Sequence, residues 1–144
     1  MKLRAYDATD LEPVLRLWWD SWHSSASFRH PKPIAEWRFR WEEIAKRHSI
    51  VVAEESGSIV GFAAVEREHA VLSQIFVAPG HKRRGIGRAL FDWARSLCLD
   101  GLTLKTLSEN SESREFYKAL GMTEQGRSIN DFNGREEVEY VLGM

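Results

Sequence analysis

Residues 74–90, Gln74-Ile75-Phe76-Val77-Ala78-Pro79-Gly80-His81-Lys82-Arg83-Arg84-Gly85-Ile86-Gly87-Arg88-Ala89-Leu90, leave the chain little freedom in local structure. An apolar run ends at a proline, which lacks the N–H that a strand ladder needs. A basic loop with two close glycines follows. Ile86, Leu90, Trp93, Ala94 and Leu97 then recur at helical spacing. The pattern predicts a buried strand, a loop and an amphipathic helix in succession. Lys82, Arg83, Arg84 and Arg88 crowd the start of that helix. Aligned peptide dipoles already make this end positive, so each cation there is disfavoured by roughly a few tenths of a kcal/mol. A bound anion reverses the penalty, because first-turn N–H groups have no partner inside the helix. Gly85 and Gly87 let backbone approach a ligand without an intervening Cβ. The loop reads as a pyrophosphate cradle; the bland alternative is a solvated basic loop.

Two common phosphate loops do not fit. No Lys-Ser or Lys-Thr follows the second glycine. Leu90 stands where a dinucleotide fingerprint has a third Gly or Ala. The stretch Val77-Ala78-Pro79, then Lys82-Arg83-Arg84-Gly85-Ile86-Gly87, instead resembles the acetyl-CoA loop of the GNAT superfamily of N-acetyltransferases. That loop reads Q/R-x-x-G-x-G/A after a V-x-P strand end. Lys82 departs from it, keeping the charge and losing the planar fork. Residues 110–122, from Asn110 through Phe116-Tyr117 to Gly121-Met122, resemble the family's N-x-x-A-x-x-F-Y-x-x-x-G-F segment, with Ser113 for Ala and Met122 for Phe.

The resemblance implies an α/β fold with a central, mostly antiparallel twisted sheet and helices on both faces. It implies acetyl-CoA as co-substrate and a primary amine, small-molecule or peptide, as acceptor. It places the cofactor on the backbone of Ile75, Phe76 and Val77, on Lys82, Arg83, Arg84, Gly85, Ile86, Gly87 and Arg88, and on Asn110. Tyr117 becomes the general acid for the thiolate. A phenol with an unperturbed pKa near 10 holds a proton to donate at neutral pH. Asn110 reads equally well as a plain helix N-cap. A second reading keeps acyl-CoA binding without catalysis, as a sensor or interaction module. On the central strand, where the resemblance implies a carboxylate, the corresponding region offers Ser73 and Gln74, neither a base. Glu66, Glu68, His69 and Glu109 lie near enough in sequence to be base candidates.

The 144 residues, 43% hydrophobic, read as a single domain with one core. A net charge of −1 argues against nucleic acid as a bulk electrostatic partner. One cysteine, Cys98, permits no intrachain disulfide and suits a reducing, cytoplasmic setting. It falls on the apolar side of the helix, as a small core residue. No membrane span or leader is expected. The five histidines lack metal-ligand spacing, so no metal is expected.

Elsewhere the pattern predicts a strand over Leu3–Tyr6 and a helix after Asp10 carrying Leu11, Leu15, Trp18 and Trp22. A loop spans Ser24–Pro33, and a second helix runs from Ile34 to about Lys46. Strands follow at Ile50–Ala53, Ile59–Val65, Val71–Val77 and Leu102–Leu107. Asn133-Gly134 predicts a type I′ hairpin between two late strands, whose edge would suit a homodimer. Tryptophans concentrate in the first two helices. Most read as packing, with Trp19, Trp22 and His23 the best candidates for an acceptor wall.

Overall fold

The computed structural model describes residues 1–143. Seven strands, β1 (Lys2–Ala5), β2 (Ser49–Glu55), β3 (Ser58–Glu66), β4 (Val71–Val77), β5 (Leu102–Leu107), β6 (Thr123–Ile129) and β7 (Glu136–Leu142), form one sheet in the order β1-β2-β3-β4-β5-β7-β6. Neighbours are antiparallel except β4 and β5. Those two meet at a single register pair, Val71↔Thr103. Beyond it they separate, which leaves a wedge in the middle of the sheet.

Four helices cover the two faces: α1 (Leu11–Ser25), α2 (Ile34–Arg47), α3 (Ile86–Leu97) and α4 (Ser111–Ala119). Strand side chains alternate between faces, so each face has its own core. On one, Ile86, Leu90, Phe91 and Ala94 of α3 and Tyr117 of α4 pack on Val51, Ala63, Leu72, Leu104 and Tyr140. A Cβ on Gly61 would lie 3.1 Å from both Ile86 and Leu90, so glycine there lets α3 settle closely on β3. On the other, Trp18, Trp22, Trp37 and Trp41 pack on Val52, Phe62 and Ala64. Trp37 and Trp41 are fully buried, and truncating either to Ala is expected to cost about 3–5 kcal/mol. Cys98 is buried next to α3, and burial pushes its thiol pKa up, away from nucleophilic use.

One turn differs from its sequence expectation. β6 and β7 are joined by six residues rather than a two-residue turn at Asn133-Gly134. A type I′ turn needs positive φ at both central residues, and only Gly134 has it, at 75°. The loop is built on Asn130 instead. Its Oδ1 accepts from Phe132 N–H at 2.8 Å and Asn133 N–H at 2.9 Å. This local side-chain bonding outcompetes the tighter turn, and it carries Phe132 over the tryptophan cluster. β6 is exposed along its whole length and forms a sheet edge. Among the described residues no helix is long and apolar enough to cross a membrane.

Candidate active site

The wedge between β4 and β5 opens into a cavity of about 850 Å³ that runs from the basic loop to the tryptophan cluster. β4 presents backbone to it. Ala78 N–H donates to the Val60 carbonyl at 2.8 Å, and Phe62 pairs with Phe76 in the same register. Antiparallel alternation therefore turns the polar groups of Phe76 toward β3 and those of Ile75 and Val77 toward the wedge. The three-residue backbone platform expected from sequence thus reduces to two residues. Phe76 stacks with Phe62, 5.8 Å between centroids. The Ser21 hydroxyl donates to the Val77 carbonyl at 2.9 Å and ties α1 to this strand end.

The basic loop reaches α3 through two left-handed residues, Arg83 at φ 65° and Gly85 at φ 84°. Gly85 caps α3, and the first bond of the helix runs from Ala89 N–H to the Gly85 carbonyl. The N–H groups of Ile86, Gly87 and Arg88 precede that bond and have no partner in the helix. A non-glycine residue at positive φ is strained by about 1–2 kcal/mol, so Arg83 holds a conformation that local energetics alone would not select. Lys82, Arg83, Gly85, Gly87 and Arg88 line the cavity. Arg84 and Ile86 do not. Arg84 pairs with Glu55 at 2.8 Å, and Ile86 is buried in the core. Lys82 and Arg83 lie 4.0 and 3.8 Å from Glu112, and Arg88 lies 3.3 Å from Asp92. These are exposed pairs, weak by nature and open to exchange. Gly87 faces Phe116, whose Cζ would be 3.4 Å from an added Cβ. That glycine therefore serves α3–α4 packing as well as backbone access.

α4 holds Tyr117 against the wedge. Asn110 caps the helix, its Oδ1 accepting from Ser113 N–H at 3.1 Å, and it also lines the cavity. Arg114 fixes the helix to the sheet: it donates to Tyr140 Oη at 3.1 Å, to the Ser108 carbonyl at 3.2 Å and to Glu124 at 2.6 Å. Tyr117 is 6% exposed and contributes to the cavity wall. Desolvation alone raises its pKa well above the ordinary tyrosine value, so the phenol keeps its proton.

At the far end, of the three residues picked out in sequence Trp22 lines the cavity, and Trp19 and His23 do not. They sit behind it. His23 Nδ1 bonds the Trp19 carbonyl at 2.8 Å, and its Nε2 accepts from His30 N–H at 3.2 Å. Helical spacing could not separate these neighbours, because the loop after α1 decides which face is covered. Sequence reasoning missed His30, Arg40, Phe132, Glu137 and Glu139, all of which line the cavity. His30 is 4% exposed, and burial lowers its pKa to about 4. Arg40 lies over the Phe132 ring at 4.8 Å. Burial raises the Glu137 pKa, opposed by Asn130, Lys105 and Arg40 and reinforced by Asp131. Strand alternation was the signal for Glu137 and Glu139, since Val138 and Tyr140 face the other core.

The base candidates from sequence lie elsewhere. Glu66, Glu68 and His69 gather at the β3–β4 turn, their ligand atoms within 4.8 Å of one another, and do not line the cavity. Glu109 binds the Ser27 hydroxyl and N–H outside it.

Residues 11–122 match the model of the Acetyltransferase (GNAT) family. The chain is 30% identical over 137 residues to an uncharacterized N-acetyltransferase of Methanocaldococcus jannaschii, covering 85% of this chain and 61% of that one. It is 31% identical over 125 residues to the peptidyl-lysine N-acetyltransferase YiaC of Escherichia coli, covering 83% and 81%. It thus spans about three fifths of the first relative's length and about four fifths of the second's. In structure it resembles a GCN5-related N-acetyltransferase from Rhodopseudomonas palustris, with a TM-score of 0.79, 18% identity and coverage of 99% and 95%.

Proposed function

The chain belongs to the acetyltransferase (GNAT) family, and we propose that it moves an acetyl group from acetyl-CoA to a primary amine by direct attack. The observation that carries this reading is the continuity of one cavity past three features: β4 backbone without a strand partner on the wedge side, the first turn of α3 with no intrahelical partner for its N–H groups, and the buried phenol of Tyr117. The first-turn N–H groups and Lys82, Arg83 and Arg88 receive the pyrophosphate. Ile75 and Val77 pair with the amide-bearing arm as a further strand would, and a β4 N–H polarises the thioester carbonyl. Tyr117 protonates the departing thiolate. A proton-retaining phenol suits that role, because the thiolate forms only as the C–S bond breaks.

The acceptor enters at the opposite end, between Trp22, Phe132 and the β7 carboxylates. Glu137 receives the ammonium of the incoming amine. The acceptor is a small-molecule or peptide amine, a range consistent with the peptidyl-lysine acetyltransferase among the relatives. The setting we favour is cytoplasmic, in keeping with a single buried cysteine.

The test is release of free CoA from acetyl-CoA across a panel of primary amines and lysine-containing peptides. Amine-dependent release that is lost on loop substitution is expected. Tight acetyl-CoA binding with no release for any amine would favour the sensor reading instead.

A further inference from the structure

We propose that Ser73 and His48 form a proton relay that takes the proton from the attacking amine. This rests on the acetyl-transfer reading above. Gln74 pairs with Ala64 and Leu72 with Val65, so Ser73 is the extra residue of a β-bulge in β4. Bulges re-aim a side chain and are enriched beside active sites. Ser73 lines the cavity, and His48 stands behind it. His48 Nδ1 lies 2.9 Å from the Ile44 carbonyl oxygen, and a carbonyl can only accept. Nδ1 therefore carries the hydrogen, and Nε2 offers a lone pair. Ser73 Oγ lies 2.8 Å from that Nε2, so the hydroxyl donates to it. Both hydrogen positions follow from the fold.

Partial burial holds the His48 pKa below its ordinary value, so the imidazole is neutral at pH 7 and free to accept. The charged group facing it is the Glu66 carboxylate from β3, itself bonded to His69 at 3.1 Å. That carboxylate favours the imidazolium once formed. The ammonium held by Glu137 first releases one proton to water. As the resulting neutral amine attacks the thioester carbon, the new C–N bond forms and the nitrogen becomes acidic. Its proton passes to Ser73 Oγ while the Ser73 proton passes to His48 Nε2. The C–S bond then breaks, its electron pair leaves on sulfur, and Tyr117 supplies the sulfur proton. The imidazolium returns a proton through Ser73 to water, and the tyrosinate takes one from water.

Four variants test the relay: Ser73→Ala, Ser73→Thr, His48→Gln and Glu137→Gln. His48→Gln keeps an acceptor for the hydroxyl and removes the base. With acetyl-CoA and an amine that turns over in the screen above, Ser73→Ala and His48→Gln are expected to lower kcat by about 10²-fold or more. Acetyl-CoA Kd should stay within roughly twofold. The acidic limb of the parent pH–rate profile should vanish in His48→Gln and persist in Glu137→Gln. Ser73→Thr should recover most of the rate. Intact rates and limb in His48→Gln and Ser73→Ala would overturn the relay, as would loss of the limb in Glu137→Gln alone. Acetylated Ser73 formed at the turnover rate would make it a nucleophile and equally overturn it. Nitrogen NMR of the parent imidazoles reads the relay without turnover. An Nδ1–H tautomer of His48 at neutral pH is expected; an Nε2–H or doubly protonated ring overturns the proposal even where no amine is acetylated.

Discussion

The two ends of the cavity are built by different means. The end proposed for the cofactor uses backbone: the diverging strand β4, the left-handed turn at Gly85 and the open first turn of α3. The end proposed for the acceptor uses side chains from four separate elements, namely Trp22 from α1, Arg40 from α2, Phe132 from a loop and Glu137 from β7. A backbone site must appear as a contiguous motif, because it needs particular residues where the chain turns. A side-chain site needs only that scattered residues converge. One end can therefore recur among proteins that share the reaction, while the other varies with the amine.

The strongest way to break this comparison lies where the two ends meet. Tyr117→Phe removes only the phenol hydroxyl, the group proposed to protonate the thiolate. It is expected to lower kcat by roughly 10²–10⁴, with acetyl-CoA affinity and Tm little changed. A kcat within about twofold of the parent, measured where chemistry limits the rate, removes Tyr117 from the mechanism. A large loss of stability makes it a core residue only.

Next comes the backbone end. Gly85→Ala places a Cβ at φ 84° in open space, so strain is its only effect. A penalty of about 1–2 kcal/mol is expected, read as roughly 5–30-fold weaker acetyl-CoA binding by calorimetry if the loop relaxes away from the cradle. Unchanged affinity with an unchanged fold means that the helix start is not the binding element. Gly87 is a poorer probe, since its contact with Phe116 would mix packing with binding.

The side-chain end has a pH signature. His30 is held neutral, with a folded pKa of about 4 below its unfolded value near 6.5. Between those values the unfolded chain binds the proton and the folded chain does not, so stability rises with pH across that window and is lost as the pH is lowered through it. The expected loss is roughly 1–2 kcal/mol from this residue. Denaturant melts at pH 7 and pH 4.5 should show it, and His30→Phe should flatten it. A His30→Phe slope equal to the parent's places the acid sensitivity elsewhere.

The smallest effect should come from Glu112, which lies 4.0 Å from Lys82 and 3.8 Å from Arg83. Glu112→Gln is expected to tighten acetyl-CoA binding by about twofold to fivefold, in proportion to a surface pair worth less than about 1 kcal/mol. Weaker binding in that variant would mean that Glu112 orders the loop rather than competing for its charges.

Strand, loop and helix at residues 71–97 were legible because each rests on local physics: a proline stop, glycine conformations and one amphipathic stripe. The helix at Asn110–Gly121 was legible for the same reason. The β6–β7 connection was misread, because Asn130 bonds its own backbone and outweighs an Asn-Gly pair three residues later. Trp19 and Trp22 were indistinguishable in sequence. Both belong to an amphipathic helix, and only the path of residues 26–33 decides which indole meets the cavity.

What the sequence determined by itself was the strand, basic loop and helix of residues 71–97 and the alternation that sends residues to one core or the other, since period and turn chemistry act over a few positions. The tertiary structure decided the rest. It splayed β4 from β5, turned Phe76 toward β3 and left Ile75 and Val77 open. It brought Ser73 within 2.8 Å of His48, and it gathered His30, Arg40, Phe132 and Glu137 from distant segments. Those outcomes depend on how two cores pack on opposite faces of one sheet, and no local stretch of the chain carries that information.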